Sequence, residues 1–141
     1  MNYERITYMR ESLELTQRQM AKELGISKSP YARWEVGKNV IPIIYLAKMC
    51  NITRYTMDFA LGISDNRKKI KDNIVIDLNK IGNKIKEIRL SKNLNQRDFA
   101  KSLNMSQSTI YKCENGKVKN LTSILYEIAN TYNVSVDWLC K

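Results

Sequence analysis

An internal repeat constrains this chain more than any other feature. Residues 6–62 align with residues 85–141 at a constant offset of 79 and without a gap. Seventeen of the aligned pairs are identical, among them Gln17 with Gln96. So many identities in register indicate a duplicated unit, and both copies should therefore adopt the same fold.

The chain has room for two small domains. Its 141 residues divide into copies of about sixty residues, and domains near that size can fold alone with marginal stability. We therefore predict a first domain over residues 1–62, a linker over residues 63–80 and a second domain over residues 81–141.

The middle of each copy has the pattern of two short helices separated by a tight turn. In the first copy, Thr16 and Gln19 have the spacing of a capping box at a helix start. Gly25 can adopt the left-handed conformation that ends a helix, and Ser27 is suited to capping the next one. The second copy repeats the pattern with Asn95, Asp98, Asn104 and Ser106. Two short helices joined by a turn of about three residues are the arrangement that places the second helix in a DNA major groove.

Apolar spacing predicts three further helices in each copy. Residues 3–14 place Ile6, Met9 and Leu13 on one face of a first helix. A fourth helix should begin near Pro42, and a short fifth helix should follow. The same periodicity assigns to the core Tyr31, Trp34, Cys50, Phe59, Cys113 and Trp138. The predicted fold is all-α, with two five-helix domains.

Composition narrows the function. The formal charge of +10 and the pI near 9.6 favour a polyanionic partner. The three cysteines lack C-x-x-C spacing and the chain has no histidine, so we predict no metal and no cofactor. No phosphate loop or paired-carboxylate constellation points to an enzyme. Neither a secretory segment nor a run of about 20 apolar residues occurs, which predicts a reduced cytoplasmic protein that does not enter the membrane.

The segment between the copies differs in composition from both. Residues 64–66 are turn-like, residues 67–71 are basic, and Ile74 and Ile76 stand in a short alternating run. This pattern predicts a linker with a short extended piece. Its basic run is either a solvated tether or an arm that binds the minor groove or a phosphate.

Each copy resembles the Cro/lambda-repressor (XRE) family of helix-turn-helix DNA-binding domains, and the resemblance covers nearly the whole chain except the linker. In the second copy it rests on Ile88-Arg89, Asn95-Gln96, Phe99-Ala100, Leu103, Ser106, Ile110, Glu114-Asn115-Gly116-Lys117, Ala129 and residues 134–139. In the first copy it rests on Met9-Arg10, Thr16-Gln17, Met20-Ala21, Leu24, Ser27, Trp34-Glu35, Gly37-Lys38 and Met57-Asp58-Phe59. The resemblance implies a lambda-repressor-like fold and double-stranded DNA as the partner.

The resemblance also implies three sets of DNA-binding residues. Gln17 and Gln96, at helix N-termini, would bind phosphates, where side-chain donors and the helix dipole act together. The outward positions of the third helix would face base edges: Ser27, Lys28, Ser29, Ala32 and Arg33 in the first copy, and Ser106, Gln107, Ser108, Tyr111 and Lys112 in the second. Beyond that helix, the second phosphate backbone would be held by Lys38, Asn115, Lys117 and Lys119.

Side-chain chemistry suggests which bases these residues read. Arg33 can pair with guanine O6 and N7, and Gln107 with adenine N6 and N7. Lys28 and Lys112 can bind guanine or a phosphate. Good bidentate pairs of this kind discriminate between bases by about 1–3 kcal/mol.

Two further positions of the motif have a structural role in the family pattern. Arg10 is expected to pair with Glu35, and Arg89 with Glu114, which joins the first helix to the end of the third. Removing one partner of a buried ion pair costs about 3–5 kcal/mol. We therefore expect these pairs to support the fold and not to contact DNA.

The two copies differ where they would meet DNA. Pro30 lacks the N–H that Ser27 would otherwise cap, and it should push Ser29 away from helical angles. Val36 stands where the second copy has Asn115. We expect the second copy to be the principal reader, with the first copy binding DNA more weakly or serving mainly in pairing.

These features predict a sequence-specific double-stranded DNA-binding transcriptional regulator, a repressor of phage, mobile-element or chromosomal type; repression follows from the resemblance alone. One chain could span two half-sites about 34 Å apart, or a homodimer could bind the operator. The rival interpretation is a protein-interaction module, such as an antitoxin or anti-regulator, whose basic surface is incidental. Salt distinguishes the two, because phosphate contacts weaken steeply as salt rises.

Overall fold

All regular structure in the protein is helical. The computed structural model describes residues 1–141 and contains ten helices and no strand. The chain separates into two compact units, unit 1 over Met1–Ile74 and unit 2 over Val75–Lys141. Unit 1 contains α1 (Glu4–Glu11), α2 (Gln17–Leu24), α3 (Lys28–Glu35), α4 (Ile43–Thr53) and α5 (Met57–Ala60). Unit 2 contains α6 (Leu78–Ser91), α7 (Gln96–Ser102), α8 (Gln107–Glu114), α9 (Leu121–Tyr132) and α10 (Val136–Leu139). The predicted all-α fold with five helices in each copy is confirmed.

Local capping sets the bounds of the helix-turn-helix segments. The Gln19 N–H donates to Thr16 Oγ1 at 3.1 Å, and the Thr16 N–H donates to Gln19 Oε1 at 2.8 Å, which completes the capping box of α2. After α2 the chain turns at Gly25, whose φ of 75° is left-handed, and the equivalent Asn104 in unit 2 has φ of 55°. The predicted start of α2 and both predicted turns are confirmed.

In both units the second helix of the helix-turn-helix lies across the core. In unit 1, α3 packs against α1 and α2, and in unit 2, α8 packs against α6 and α7. Large side chains beneath them are fully buried, including Met9, Met20, Tyr31, Phe59, Ile81, Ile85 and Ile110. Each such side chain contributes about 1.5–3 kcal/mol on burial. The core therefore fixes which face of α3 and α8 points outward.

A glycine brings α6 unusually close to α8. A Cβ built on Gly82 would lie 2.5 Å from the Cys113 carbonyl oxygen and 2.8 Å from that of Glu114. Real Cβ atoms do not approach backbone oxygens this closely, so any larger residue would push the helices apart. The C-terminal end of α8 is thus held directly on α6.

Three expectations for single residues are wrong. Leu13 is exposed because α1 ends at Glu11, before the last turn of the predicted pattern. Trp138 is 39% exposed because the single turn of α10 directs its other apolar side chains inward. Ser29 lies within α3, since the bias of a residue before proline is weaker than the packing of the helix.

The segment between the repeats forms no strand, and most of it packs against unit 1. Residues 63–74 lie along unit 1 and belong to it. Helix α6 begins at Leu78, within the range that the sequence assigned to the linker, because Asp77 Oδ1 accepts the N–H groups of Asn79 and Lys80. None of the ten helices has the length and apolar character that a membrane crossing needs.

Candidate nucleic-acid interface

A buried ion pair holds the recognition helix of unit 2. Arg89 Nε donates to Glu114 Oε2 and Arg89 Nη2 to Glu114 Oε1, both at 2.9 Å. Arg89 Nη1 also donates to the Leu94 carbonyl at 2.9 Å. One guanidinium therefore joins α6, the end of α8 and the turn before α7, which confirms the expected structural pair.

The same pair in unit 1 is part of a larger network. Arg10 Nε donates to Glu35 Oε1 at 2.6 Å, as expected. Glu35 also accepts from Tyr31 Oη and from Gln17 Nε2, each at 2.7 Å. Burial opposes ionisation of Glu35, but the hydrogen bonds from Arg10, Gln17 and Tyr31 outweigh it and lower the pKa of this carboxyl below its ordinary value. Burial and the bond to Glu35 raise the pKa of Tyr31, which keeps its hydroxyl protonated.

The two glutamines expected to bind phosphate differ in their surroundings. Both are half-buried at the first position of their helix, α2 or α7. The Gln17 amide is already bound to Glu35, whereas the Gln96 side chain makes no hydrogen bond within the chain. An anion at the start of α7 would thus meet an available donor, while one at the start of α2 would compete with Glu35.

The outward face of α8 carries the residues that the sequence assigned to base edges. Gln107, Ser108, Tyr111 and Lys112 are all exposed, and Tyr111 is 54% exposed. Ser106 is also exposed, but its hydroxyl is engaged in capping α8, where it accepts the Thr109 N–H. We call these five predicted residues, Ser106, Gln107, Ser108, Tyr111 and Lys112, the unit 2 recognition face.

Three more predicted residues surround the end of α8. Asn115, Lys117 and Lys119 are exposed just beyond the helix. Asn115 Nδ2 donates to the Tyr111 carbonyl at 2.8 Å, so this amide caps the helix end. The two lysines make no ion pair, which leaves both charges available to an anion.

The outward face of α3 is less polar. Ser27, Lys28, Ser29 and Arg33 are exposed and Ala32 is half-buried, and together they form the unit 1 recognition face. An open groove along this face is lined by Lys28, Ser29, Ala32, Arg33, Val36 and Lys38. Ser27 caps no N–H, because Pro30 occupies the position that would donate one. Val36 is 66% exposed, so unit 1 presents an apolar side chain where unit 2 presents an amide.

Comparison with known proteins identifies the family. A family model described as Helix-turn-helix matches the chain twice, over residues 6–59 and over residues 85–139. The chain belongs to the XRE-type helix-turn-helix family. Members of this family are DNA-binding transcription regulators.

A curated relative agrees with the family assignment. The chain is 28% identical over 75 residues to YobD of Bacillus subtilis (strain 168), an uncharacterized HTH-type transcriptional regulator. The match covers 49% of this chain and 67% of YobD. No solved structure matches the chain.

The XRE-type units also expose cations that the sequence reasoning did not single out. Arg18 and Lys22 on α2 are exposed, and so are their identical counterparts Arg97 and Lys101 on α7. Core packing does not require identity at exposed positions. Identity between the two copies, combined with exposure, is the signal that would have found them.

The cysteines of these XRE-type units serve packing. Cys50, Cys113 and Cys140 are buried and form no disulfide. Burial and the nearby charge of Glu114 raise the pKa of Cys113 to about 12, so this thiol stays protonated beneath α8. The prediction that Cys50 and Cys113 are small core residues is confirmed.

Proposed function

We propose that the chain is a transcriptional repressor that binds a two-part operator in double-stranded DNA, with unit 2 as the principal reader. The observation that carries this proposal is the presence, in each unit, of a recognition helix packed on the core through one face and exposing hydrogen-bond donors on the other. Such a helix can enter the major groove while its neighbours meet the phosphates. Occupation of the operator would exclude polymerase.

Unit 2 offers a donor for each part of the groove. The Gln96 amide, at the start of α7, would bind one phosphate strand, and Lys117 and Lys119 would bind the other. Gln107 would pair with an adenine edge, and Lys112 with guanine or a phosphate. The backbone contacts would thus come from the start of α7 and from the chain beyond α8, and the base contacts from α8 itself.

Three differences support the lower rank of unit 1. Gln17 is engaged with Glu35, the cap of α3 is incomplete at Ser27, and Val36 replaces an amide. The engaged Gln17 and the apolar Val36 reduce the number of donors that unit 1 brings to DNA, and the missing cap leaves the start of α3 less well fixed. Unit 1 would therefore add affinity through Lys28, Arg33 and Lys38 more than base discrimination.

The number of units on the operator follows from its symmetry. One chain would occupy two half-sites. A homodimer would bring four units and produce a palindromic site. Selection of bound duplexes from a random pool reports both site length and symmetry.

Substitution of the recognition face tests the proposal. Gln107→Ala with Lys112→Ala should weaken binding to the selected duplex by about 10-fold or more, since each good base contact discriminates by about 1–3 kcal/mol. Asn83→Ala with Lys86→Ala is the matched control, because it removes one amide and one charge from exposed positions of α6. Gel-shift titration should show parent affinity for the control. Equal affinities for both double variants would refute the assignment.

The same titration ranks the two units. Lys28→Ala with Arg33→Ala removes two charges from the unit 1 recognition face. We expect a smaller loss of specific affinity than from the unit 2 double variant. A larger loss would make unit 1 the principal reader.

Salt dependence separates this function from the rival one. The exposed Val36, just beyond the end of α3, favours a protein-binding role for unit 1, and a protein partner would be bound with little salt dependence. Six predicted cations would contact phosphates: Lys28, Arg33, Lys38, Lys112, Lys117 and Lys119. They give a slope of log affinity against log salt of about −5, or a loss of about 1000-fold between 50 and 200 mM. A flat profile would refute DNA as the partner of these lysines.

A further inference from the structure

An asparagine of α4 clamps the chain where it leaves unit 1. Asn51 Nδ2 donates to the Ile74 carbonyl at 2.9 Å, and the Ile74 N–H donates to Asn51 Oδ1 at 2.7 Å. The side-chain amide thus satisfies both backbone groups of one residue, as a neighbouring strand would. We call residues 63–74, which end at this clamp, the strap.

An arginine at the end of α4 binds the strap a second time. Arg54 Nη2 donates to the carbonyls of Ile70 at 2.9 Å and Lys71 at 2.8 Å, and Arg54 Nη1 donates to Asn73 Oδ1 at 2.8 Å. The Ile70 N–H donates in return to the Arg54 carbonyl at 2.8 Å. Arg54 is left-handed, with φ of 67°, a conformation that few residues with a side chain adopt. It ends α4 and leads into this contact.

Cations of the strap lie on aromatic rings of unit 1. Tyr8, Tyr55 and Phe59 contact one another with ring centroids 4.7 to 5.9 Å apart. The Arg67 guanidinium lies 5.1 Å from the Tyr8 ring centre, and Lys69 Nζ lies 3.3 Å from that of Tyr55. These two cations of the basic run therefore make cation–π contacts within unit 1.

Arg5 of α1 binds the start of the strap, and the aromatic cluster that the strap contacts is not repeated in unit 2. Arg5 Nη1 donates to the Ser64 carbonyl at 3.0 Å, and Arg5 also forms an ion pair with Asp65. The positions in unit 2 that correspond to Tyr8 and Tyr55 are Glu87 and Val134. The counterpart of Phe59 is Trp138, so unit 2 keeps one of the three aromatic positions and lacks the cluster.

Docking of the strap shortens the free chain between the two units. Between Ile74 and the start of α6 at Leu78 lie three residues, which span about 14 Å at most. With the strap released, the free chain would run from Gly62 to Leu78 and reach about 55 Å. We propose that the docked strap makes the spacing of the two operator half-sites a determinant of specificity. This inference rests on the proposed function, because it requires both units to bind DNA.

Tether length predicts a measurable spacing profile. Five inserted base pairs move a half-site by about 17 Å and to the opposite face of the duplex, beyond the reach of the short tether. A fourfold longer tether still lets the second unit reach the displaced half-site. The effective concentration of the second unit at the best spacing then falls by about eightfold, because it varies as the −3/2 power of tether length. Release of the strap should therefore lower the affinity at the best spacing and reduce the further loss of affinity caused by the insertion.

Two variants of the full chain release the strap. Asn51→Ala with Arg54→Lys removes the clamp and keeps the charge at position 54, but one ammonium cannot replace the guanidinium bonds to Ile70, Lys71 and Asn73. The second variant adds Arg67→Ser with Lys69→Ser, which removes the strap cations that lie on the rings. Lys68→Ser with Lys71→Ser is the matched control, because it removes the same charge from side chains that make no hydrogen bond, ion pair or ring contact in the unit. The exchange rate of the Ile74 amide hydrogen measures release. This rate should rise at least 10-fold in both release variants and should not change in the control.

Gel-shift titrations then use the selected operator, the same duplex with five base pairs inserted between the half-sites, and a duplex with one half-site. The parent and the control should bind the inserted duplex no better than the single half-site. The release variants should bind the original operator more weakly than the parent, by as much as about eightfold, and should retain part of the two-site advantage after insertion.

Two results would overturn the strap proposal and leave DNA binding intact. One is an identical spacing profile for parent and release variants, and the other is unchanged exchange at Ile74 in the release variants. A parent that binds the operator and the single half-site equally well would instead refute the two-part operator of the proposed function.

Discussion

Arg89→Ala should destabilise unit 2 severely. The guanidinium makes three hydrogen bonds, two to Glu114 and one to the Leu94 carbonyl. Arg89 and Glu114 are 8% and 9% exposed, so water cannot replace the lost donors. Removing the arginine leaves a buried carboxylate without its partner, at a cost of about 3–5 kcal/mol.

That cost is large beside the stability of so small a unit. At about 0.05–0.15 kcal/mol per residue, unit 2 should unfold with a free energy of about 3–10 kcal/mol. A domain of this size loses about 4 °C or more in melting temperature for each kcal/mol. Arg89→Ala should therefore lower the melting temperature of unit 2 by at least about 12 °C. Arg10→Ala should cost unit 1 less, because Glu35 keeps its bonds from Gln17 and Tyr31.

The two tryptophans allow each unit to be followed separately. Trp34 lies in unit 1 and Trp138 in unit 2, so fluorescence in a Trp34→Phe background reports the melting of unit 2 alone. Arg97→Ala is the control, since its side chain is 76% exposed and its loss should change stability by no more than about 0.5 kcal/mol. A melting temperature of Arg89→Ala within about 4 °C of the parent would refute the reasoning.

Replacing both partners tests the cause. Arg89→Met with Glu114→Leu removes the buried charge together with its partner. Apolar residues of similar volume often equal or exceed a buried ion pair in stability. We therefore expect this double variant to melt well above Arg89→Ala. A double variant as unstable as the single one would assign the loss to packing and not to an unpaired charge.

Three further predictions concern stability. The pKa of Glu35 is lowered in the folded state, so the stability that ionised Glu35 contributes is complete above about pH 4.5 and is lost as the pH falls through the folded pKa. The difference in unfolding free energy between the parent and Glu35→Gln, measured in urea, should therefore narrow below pH 4.5. A difference that does not change with pH would contradict this. Gly82→Ala should lower the melting temperature by the equivalent of about 1–3 kcal/mol, because the new methyl group would meet the Cys113 carbonyl. A higher melting temperature, as alanine usually gives in place of glycine in a helix, would show that α6 and α8 separate easily. Ser106→Ala should cost about 1 kcal/mol in thermal melts while Ser27→Ala costs almost nothing, because only Ser106 caps its helix; equal losses would contradict the difference in capping.

Much of the fold was predictable because its signals are local. The Thr16–Gln19 capping box and the left-handed turns at Gly25 and Asn104 depend on residues within four positions of one another. Apolar spacing likewise identified most of the core, including Tyr31 at 0% exposure. Periodicity failed at the helix ends, where Leu13 follows the last turn of α1.

The candidate site was predictable as a set of positions but not as a set of available groups. The resemblance placed the recognition faces on α3 and α8, where they are exposed. It did not distinguish Gln17 from Gln96, although only Gln17 is bound to Glu35. The repeat even favours equal roles for these two glutamines. The difference depends on Tyr31 and the other groups that surround one carboxylate.

Sequence thus sufficed for the duplication, the caps, the turns and the family, since each depends on neighbours along the chain or on a motif within one copy. Folding alone brings Asn51 to Ile74, Arg5 to Ser64 and Gln17 to Glu35, pairs separated by 18 to 59 positions. No period or cap encodes such contacts, because each is made by elements whose relative placement depends on the packing of the whole unit. The basic run after unit 1 is the clearest case: its charges suggested either a solvated tether or a DNA-binding arm, and tertiary contacts direct two of them onto aromatic rings.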